Sequence, residues 1–164
     1  MDTTTQRLAR QVVEALGRRG HTLSSCESLT GGGVGAALTA IPGSSAVYRG
    51  GLITYASDLK HTLAGVDDDL IRRTGVVNEL VAVQMAEGAR RRCGSDWAVS
   101  TTGVAGPGSI EGQPVGTVWF AVAGAPTGAV AQLARLDGDR EAIRNAAVRH
   151  ALGIVLEVFR SLRE

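Results

Sequence analysis

Residues 22–41 narrow the fold more than any other stretch. A short β-compatible run, 22–26, passes through Gly31, Gly32 and Gly33 into a segment that places Val34, Ala37 and Leu38 on one helical face. Strand, glycine-rich turn and helix in that order open a parallel α/β unit. The surrounding chain keeps the alternation. Leu8, Val12, Val13 and Leu16 predict a helix over 5–19 that Gly20 closes, and 47–55 reads as a second strand that Gly50-Gly51 can bulge. A short helix starts near Ser57. Asn78 caps a longer one that buries Ala82, Met85, Ala86, Ala89 and Cys93, and the basic run Arg90-Arg91-Arg92 ends it. A third strand covers 97–102, a glycine-rich loop 103–113, and a hairpin 115–123 and 129–136. Asp139 then caps a last helix with Ile143, Ala147, Ala151, Ile154 and Val158 in one stripe. The expectation is an α/β fold, a three-layer αβα sandwich with a mixed, mostly parallel five-stranded sheet, in a single domain over 1–164.

Composition supports one core built from small side chains. The chain has 164 residues, 44% of them hydrophobic, with 22 glycines and only two each of Trp, Tyr and Phe. A formal charge of +1 gives no broad footprint for nucleic acid or an anionic membrane, so neither is expected as a partner. The polar start has no apolar leader and no apolar run reaches ~18 residues, which predicts a cytoplasmic protein. Cys26 and Cys93 form no CxxC pair, and His21, His61 and His150 stand singly, so no metal site, cofactor or disulfide framework is expected.

Three strand ends carry polar, glycine-flanked clusters: Glu27-Ser28-Leu29-Thr30-Gly31-Gly32, residues 55–60, and Thr101-Thr102-Gly103. In open α/β sheets ligands bind beyond the carboxyl ends of strands, so parallel neighbours would bring these clusters together. Lys60 is the only lysine in a chain that uses arginine at every other cationic position. Arginine cannot deprotonate, whereas a desolvated lysine can serve as a base.

Three serines compete as its nucleophile. Ser57 has SxxK spacing to Lys60, but no SDN or KTG accompanies it and its position suits a helix cap. Ser45 starts the second strand, ~30 Å from its far end if extended, and reaches the site only through the Gly50-Gly51 bend or from a neighbouring subunit. Ser28 sits in the strand-to-helix turn, where the backbone N–H groups of Gly31 and Gly32 offer an oxyanion site. The alternative for Ser28 is a helix N-cap. Gly31-x-Gly33-x-x-Ala36 is only a weak dinucleotide fingerprint, because the glycines start late after the strand. Arg140 stands in the first turn of the last helix, where a cation opposes the dipole and a bound phosphate would resolve the conflict.

Six ordered blocks resemble the CinA C-terminal-domain family, the bacterial nicotinamide-mononucleotide amidohydrolases. They are Glu27 to Gly32, Pro42-Gly43-Ser44-Ser45, Thr54-Tyr55 through Lys60, Thr102-Gly103-Val104-Ala105-Gly106-Pro107, Pro114-Val115-Gly116-Thr117-Val118-Trp119-Phe120 and Gly138-Asp139-Arg140. The resemblance implies hydrolysis of the carboxamide of nicotinamide mononucleotide to nicotinate mononucleotide and ammonia by a Ser/Lys pair without metal. It implies Ser28, Lys60, Tyr55 and Thr102 as catalytic residues, with Thr30, Gly31, Gly32, Ser45, Gly103 and Arg140 around the substrate. Leu29 replaces the family's usual Cys, and the loop 108–113 differs from the usual charged version. A homodimer is expected, and the pyrophosphatase-like domain of longer CinA proteins is not. The rival reading is a competence- or damage-associated accessory domain that binds nucleotide or protein without turnover.

Overall fold

The computed structural model describes residues 1–126 and 128–162; residue 127 of the expected hairpin turn and the last two residues of the expected domain lie outside them. Asp2 accepts the Thr5 N–H and starts α1 (Thr3–Gly17), two residues earlier than the apolar spacing suggests. β1 (Leu23–Glu27) follows, then α2 (Gly33–Thr39), a 3₁₀ turn (Ser44–Ala46) and β2 (Tyr48–Ile53). Gly31 and Gly32 take positive φ, 58° and 98°, and form the expected glycine-rich turn ahead of α2. α3 (Ser57–Thr62) and α4 (Asp68–Thr74) lead to α5 (Glu79–Cys93), which Asn78 caps through the Val81 N–H. The periodicity gave no sign of α4, a helix too short for a repeat, started by the Asp67 side chain. β3 (Trp97–Gly103), β4 (Thr117–Gly124), β5 (Gly128–Arg135) and α6 (Arg140–Ser161) complete the chain, with Asp139 capping α6.

The five strands form one sheet in the order β2-β1-β3-β4-β5. β1 runs parallel to both β2 and β3, whereas β3–β4 and β4–β5 are antiparallel. The sheet is therefore evenly mixed and not mostly parallel. The three-residue return from β4 to β5 leaves no room for the crossover a parallel pair needs, and the longer β3–β4 connection, 104–116, holds no helix to cross over with. The register breaks between Leu23 and Ser24 opposite Tyr48 and Gly50, the bulge expected beside Gly50-Gly51.

Strand parity divides the core. Trp97, Val99, Val118, Phe120 and Val122 pack with α1, α2 and α6, while Ala98, Ala121 and Ala123 face α5 with Cys26. Small side chains let α5 come close to its surroundings. A Cβ on Gly88 would stand 1.8 Å from the Ala64 carbonyl oxygen, so only glycine fits the loop between α3 and α4 against this helix. Register sets Glu27 beside Ile53 and Thr101, which aligns the carboxyl ends of β1, β2 and β3. The site grows from that edge.

Candidate active site

Lys60 is 1% exposed, on α3, and its amine donates to Ser28 Oγ at 3.0 Å and to the Thr54 carbonyl at 2.7 Å. Burial pushes the lysine down to about 8, against smaller upward effects from Cys26 and Glu111. Cys26 opposes it weakly because burial drives its own thiol up to about 11. Thr54 can anchor the amine because its N–H donates to the Glu27 carbonyl at 2.8 Å, which carries β2 pairing one residue past the strand. Held this way, a neutral Lys60 keeps a hydrogen bond to Thr54 and turns its lone pair to the Ser28 hydroxyl. That is the geometry of an activated nucleophile.

The turn bearing Ser28 is fixed by Glu27, a carboxylate 1% exposed. Its oxygens accept the N–H groups of Gly32, Val34 and Gly35 at 2.9–3.0 Å, and a longer bond from Ser25 Oγ. Glu27 thereby does at α2 what a capping side chain does elsewhere, since Gly32 at the cap position has none to offer. Sequence reading placed Glu27 in the motif without a role; an acid just before a glycine turn was the available sign. The N–H groups of Gly31 and Gly32 are consequently committed, to the Ser28 carbonyl and to Glu27, so they are not the open oxyanion donors expected of them. The N–H groups of Leu29 and Thr30 have no partner among the described residues.

Ser28, Tyr55, Lys60, Thr102, Gly103 and Arg140 line one pocket. Arg140 spans its mouth, donating to Tyr55 Oη and to the Gly106 carbonyl, both at 2.8 Å. Thr102 is buried and gives its hydroxyl proton to the Val76 carbonyl at 2.7 Å, while Glu111 accepts the Val76 N–H at 2.9 Å. Residue 76 is thus gripped from both sides. The Thr30 side chain is buried, its hydroxyl against that of Thr101 at 2.8 Å. Ser45 is exposed in the 3₁₀ turn ahead of β2 and does not line the pocket. Ser57 is not the cap expected of it: Ala56 holds that position and Ser57 is the first residue of α3, facing the pocket.

Residues 5–159 match the CinA C-terminal domain. The chain belongs to the CinA C-terminal domain family. Within it, the chain is 41% identical over 159 residues to nicotinamide-nucleotide amidohydrolase PncC of Escherichia coli (strain K12), with 96% of each protein covered. A CinA-like protein of Synechococcus sp. (strain RCC307) is 51% identical over 152 residues, which make up 90% of this chain and 36% of that one. The chain thus spans about a third of the length of such relatives. The crystal structure of competence/damage inducible protein CihA from Agrobacterium tumefaciens matches with a TM-score of 0.91 at 37% identity, covering 96% of each chain.

In this CinA domain the pocket lining mixes the polar side chains of Ser28, Ser57 and Lys60 with the apolar ones of Leu29, Val76, Val77, Ala105 and Ile110. Val76, Val77 and Ile110 carried no motif that spacing could flag. Among the described residues no three His, Cys, Asp or Glu side chains are grouped to hold a metal ion. No described helix is long and apolar enough to cross a membrane.

Proposed function

We propose that this CinA domain, a three-layer αβα domain over 1–164, is a cytoplasmic, metal-independent amidohydrolase that converts nicotinamide mononucleotide to nicotinate mononucleotide and ammonia. The observation that carries the reading is the buried contact between Lys60 Nζ and Ser28 Oγ at 3.0 Å. Similarity to PncC supplies the substrate class.

Neutral Lys60 takes the Ser28 proton as Oγ attacks the carboxamide carbon. Backbone N–H groups of the nucleophile turn hold the oxygen that becomes negative. Lysinium then gives its proton to the departing nitrogen, which leaves as ammonia and breaks the C–N bond. Water attacks the resulting ester with Lys60 again as base, releasing the carboxylate and restoring the Ser28 hydroxyl. Thr102 shapes the pocket wall through Val76. Arg140 grips the phosphate, exchanging its bonds to Tyr55 and Gly106 for phosphate oxygens.

The rival reading is a nucleotide- or protein-binding accessory domain, in keeping with the competence/damage name of the Agrobacterium protein. Purified protein incubated with nicotinamide mononucleotide, with and without chelator, decides between them. Equal yields of ammonia and nicotinate mononucleotide, undiminished by chelator, are expected. Nucleotide binding without any product would favour the accessory domain. The expected homodimer belongs to the same proposal and is read from the mass in solution by light scattering.

A further inference from the structure

Arg144 lies one turn beyond Arg140 on α6 and reaches the other side of the nucleophile turn. Its Nε donates to the Leu29 carbonyl at 2.9 Å and its Nη2 lies 3.4 Å from the Thr30 carbonyl. The side chain is partly buried, and among the described residues it makes no ion pair. Gly31 sits directly against it: a Cβ there would stand 3.3 Å from Nη2. A guanidinium whose partners are two successive backbone carbonyls acts on peptide planes. The Leu29 carbonyl shares its peptide with the Thr30 N–H, and in a trans peptide the two point in opposite directions. Fixing one aims the other away from Arg144, and a charged donor on the carbonyl polarises the N–H across the bond.

We propose that Arg144 is a positioning residue for the oxyanion site, holding the Leu29–Thr30 peptide so that the Thr30 N–H stays open to the developing charge beside that of Leu29, whose peptide the Gly31 N–H fixes through the Ser28 carbonyl. The inference rests on Ser28 being the nucleophile. Glu27 fixes the helix side of the same turn through Gly32, Val34 and Gly35. Between the two charged groups, the N–H of Gly31 closes back onto the Ser28 carbonyl while those of Leu29 and Thr30 remain uncommitted. No atom of Arg144 needs to touch substrate.

The test compares wild type, Arg144→Met and Arg144→Lys on nicotinamide mononucleotide across pH, alongside the rate at which a fluorophosphonate labels Ser28, read by mass. Loss of one oxyanion donor costs about 10²–10³ in kcat, and a misaimed one somewhat less. Arg144→Met should therefore lower kcat by at least about tenfold with KM within about twofold. Labelling should slow in parallel, and the pH limb set by Lys60 should stay in place. Arg144→Lys should recover part of the loss, and serves alone if Arg144→Met does not fold. An unchanged kcat, or a raised KM with kcat kept, overturns the role of Arg144 while leaving the amidohydrolase reading intact. Wild type that neither turns over nor labels at Ser28 overturns that reading and this inference with it.

Discussion

Lys60 Nζ meets Ser28 Oγ at 3.0 Å although the two residues are 32 positions apart in the chain. Lys60 is the buried member that sets how the pair responds to pH. With the amine at about 8, about one-tenth of it is neutral at pH 7. The profile of kcat/KM should therefore rise through pH 7 and level off above about pH 9, because the reactive form is the deprotonated one. A profile flat from pH 6.5 to 9.5 would remove lysine from the base role. Lys60→Arg, which cannot deprotonate, should lose at least ~10²-fold.

The same amine makes stability pH-dependent. Its folded value of about 8 lies below the ~10.4 of an unfolded lysine. Between those limits the unfolded chain holds a proton that the folded chain has released, so stability rises with pH. Below pH 8 both forms are protonated and the burial penalty is present in full. Relative to Lys60→Met, wild type should gain up to about 1.4 kcal/mol per pH unit between pH 8 and 10, measured by urea denaturation. A constant difference would place the lysine in contact with water.

The three serines should separate by location. Ser28→Ala should abolish turnover and fluorophosphonate labelling. Ser57→Ala should leave stability within about 0.5 kcal/mol, because it caps nothing, and should change KM for the nucleotide only modestly. Ser45→Ala should be silent in kcat and KM. An acyl adduct mapped to Ser45 in a quenched reaction would contradict this arrangement.

Glu27→Gln should be costly in both stability and rate. It replaces a carboxylate that receives N–H groups on both oxygens with an amide that can accept on one. A loss of about 2 kcal/mol or more is expected from chemical denaturation, with kcat reduced as the turn before α2 relaxes.

Gly88→Ala should destabilise, against the usual gain of up to about 1 kcal/mol for such a change inside a helix. The new methyl would meet the Ala64 carbonyl oxygen at 1.8 Å and force α5 away from the preceding loop. Thermal denaturation with a raised melting temperature would show that the contact can relax without cost.

Much of the fold was legible because its signals are local. The caps at Asn78 and Asp139 and the apolar stripe of α6 follow from side chains near in sequence, and each element stands where they point. Lys60 was legible from its rarity as the chain's lone lysine, and Ser28 was legible only as one of three competing serines. Backbone commitments were not. Whether the N–H of Gly31 or of Leu29 is open depends on carbonyls and carboxylates that close a turn, and residue type does not encode that. Ser57 misled for a related reason: the chain enters α3 one residue earlier, and Ala56 takes the position a cap would hold. The parallel share of the sheet was overestimated because strand lengths carry no direction until the return connections are known.

α6 supplies both Arg140 at the pocket mouth and Arg144 at the nucleophile turn, and it packs against α1 from the opposite end of the chain. During synthesis, strands β1 to β3 and Lys60 emerge long before this helix does. A nascent chain can therefore hold serine and lysine before Arg140 and Arg144 have left the ribosome. Long-range closure of this kind comes late in folding. With Arg140 and Arg144 acting as proposed, the Ser28–Lys60 pair would stay chemically quiet until α6 docks against α1.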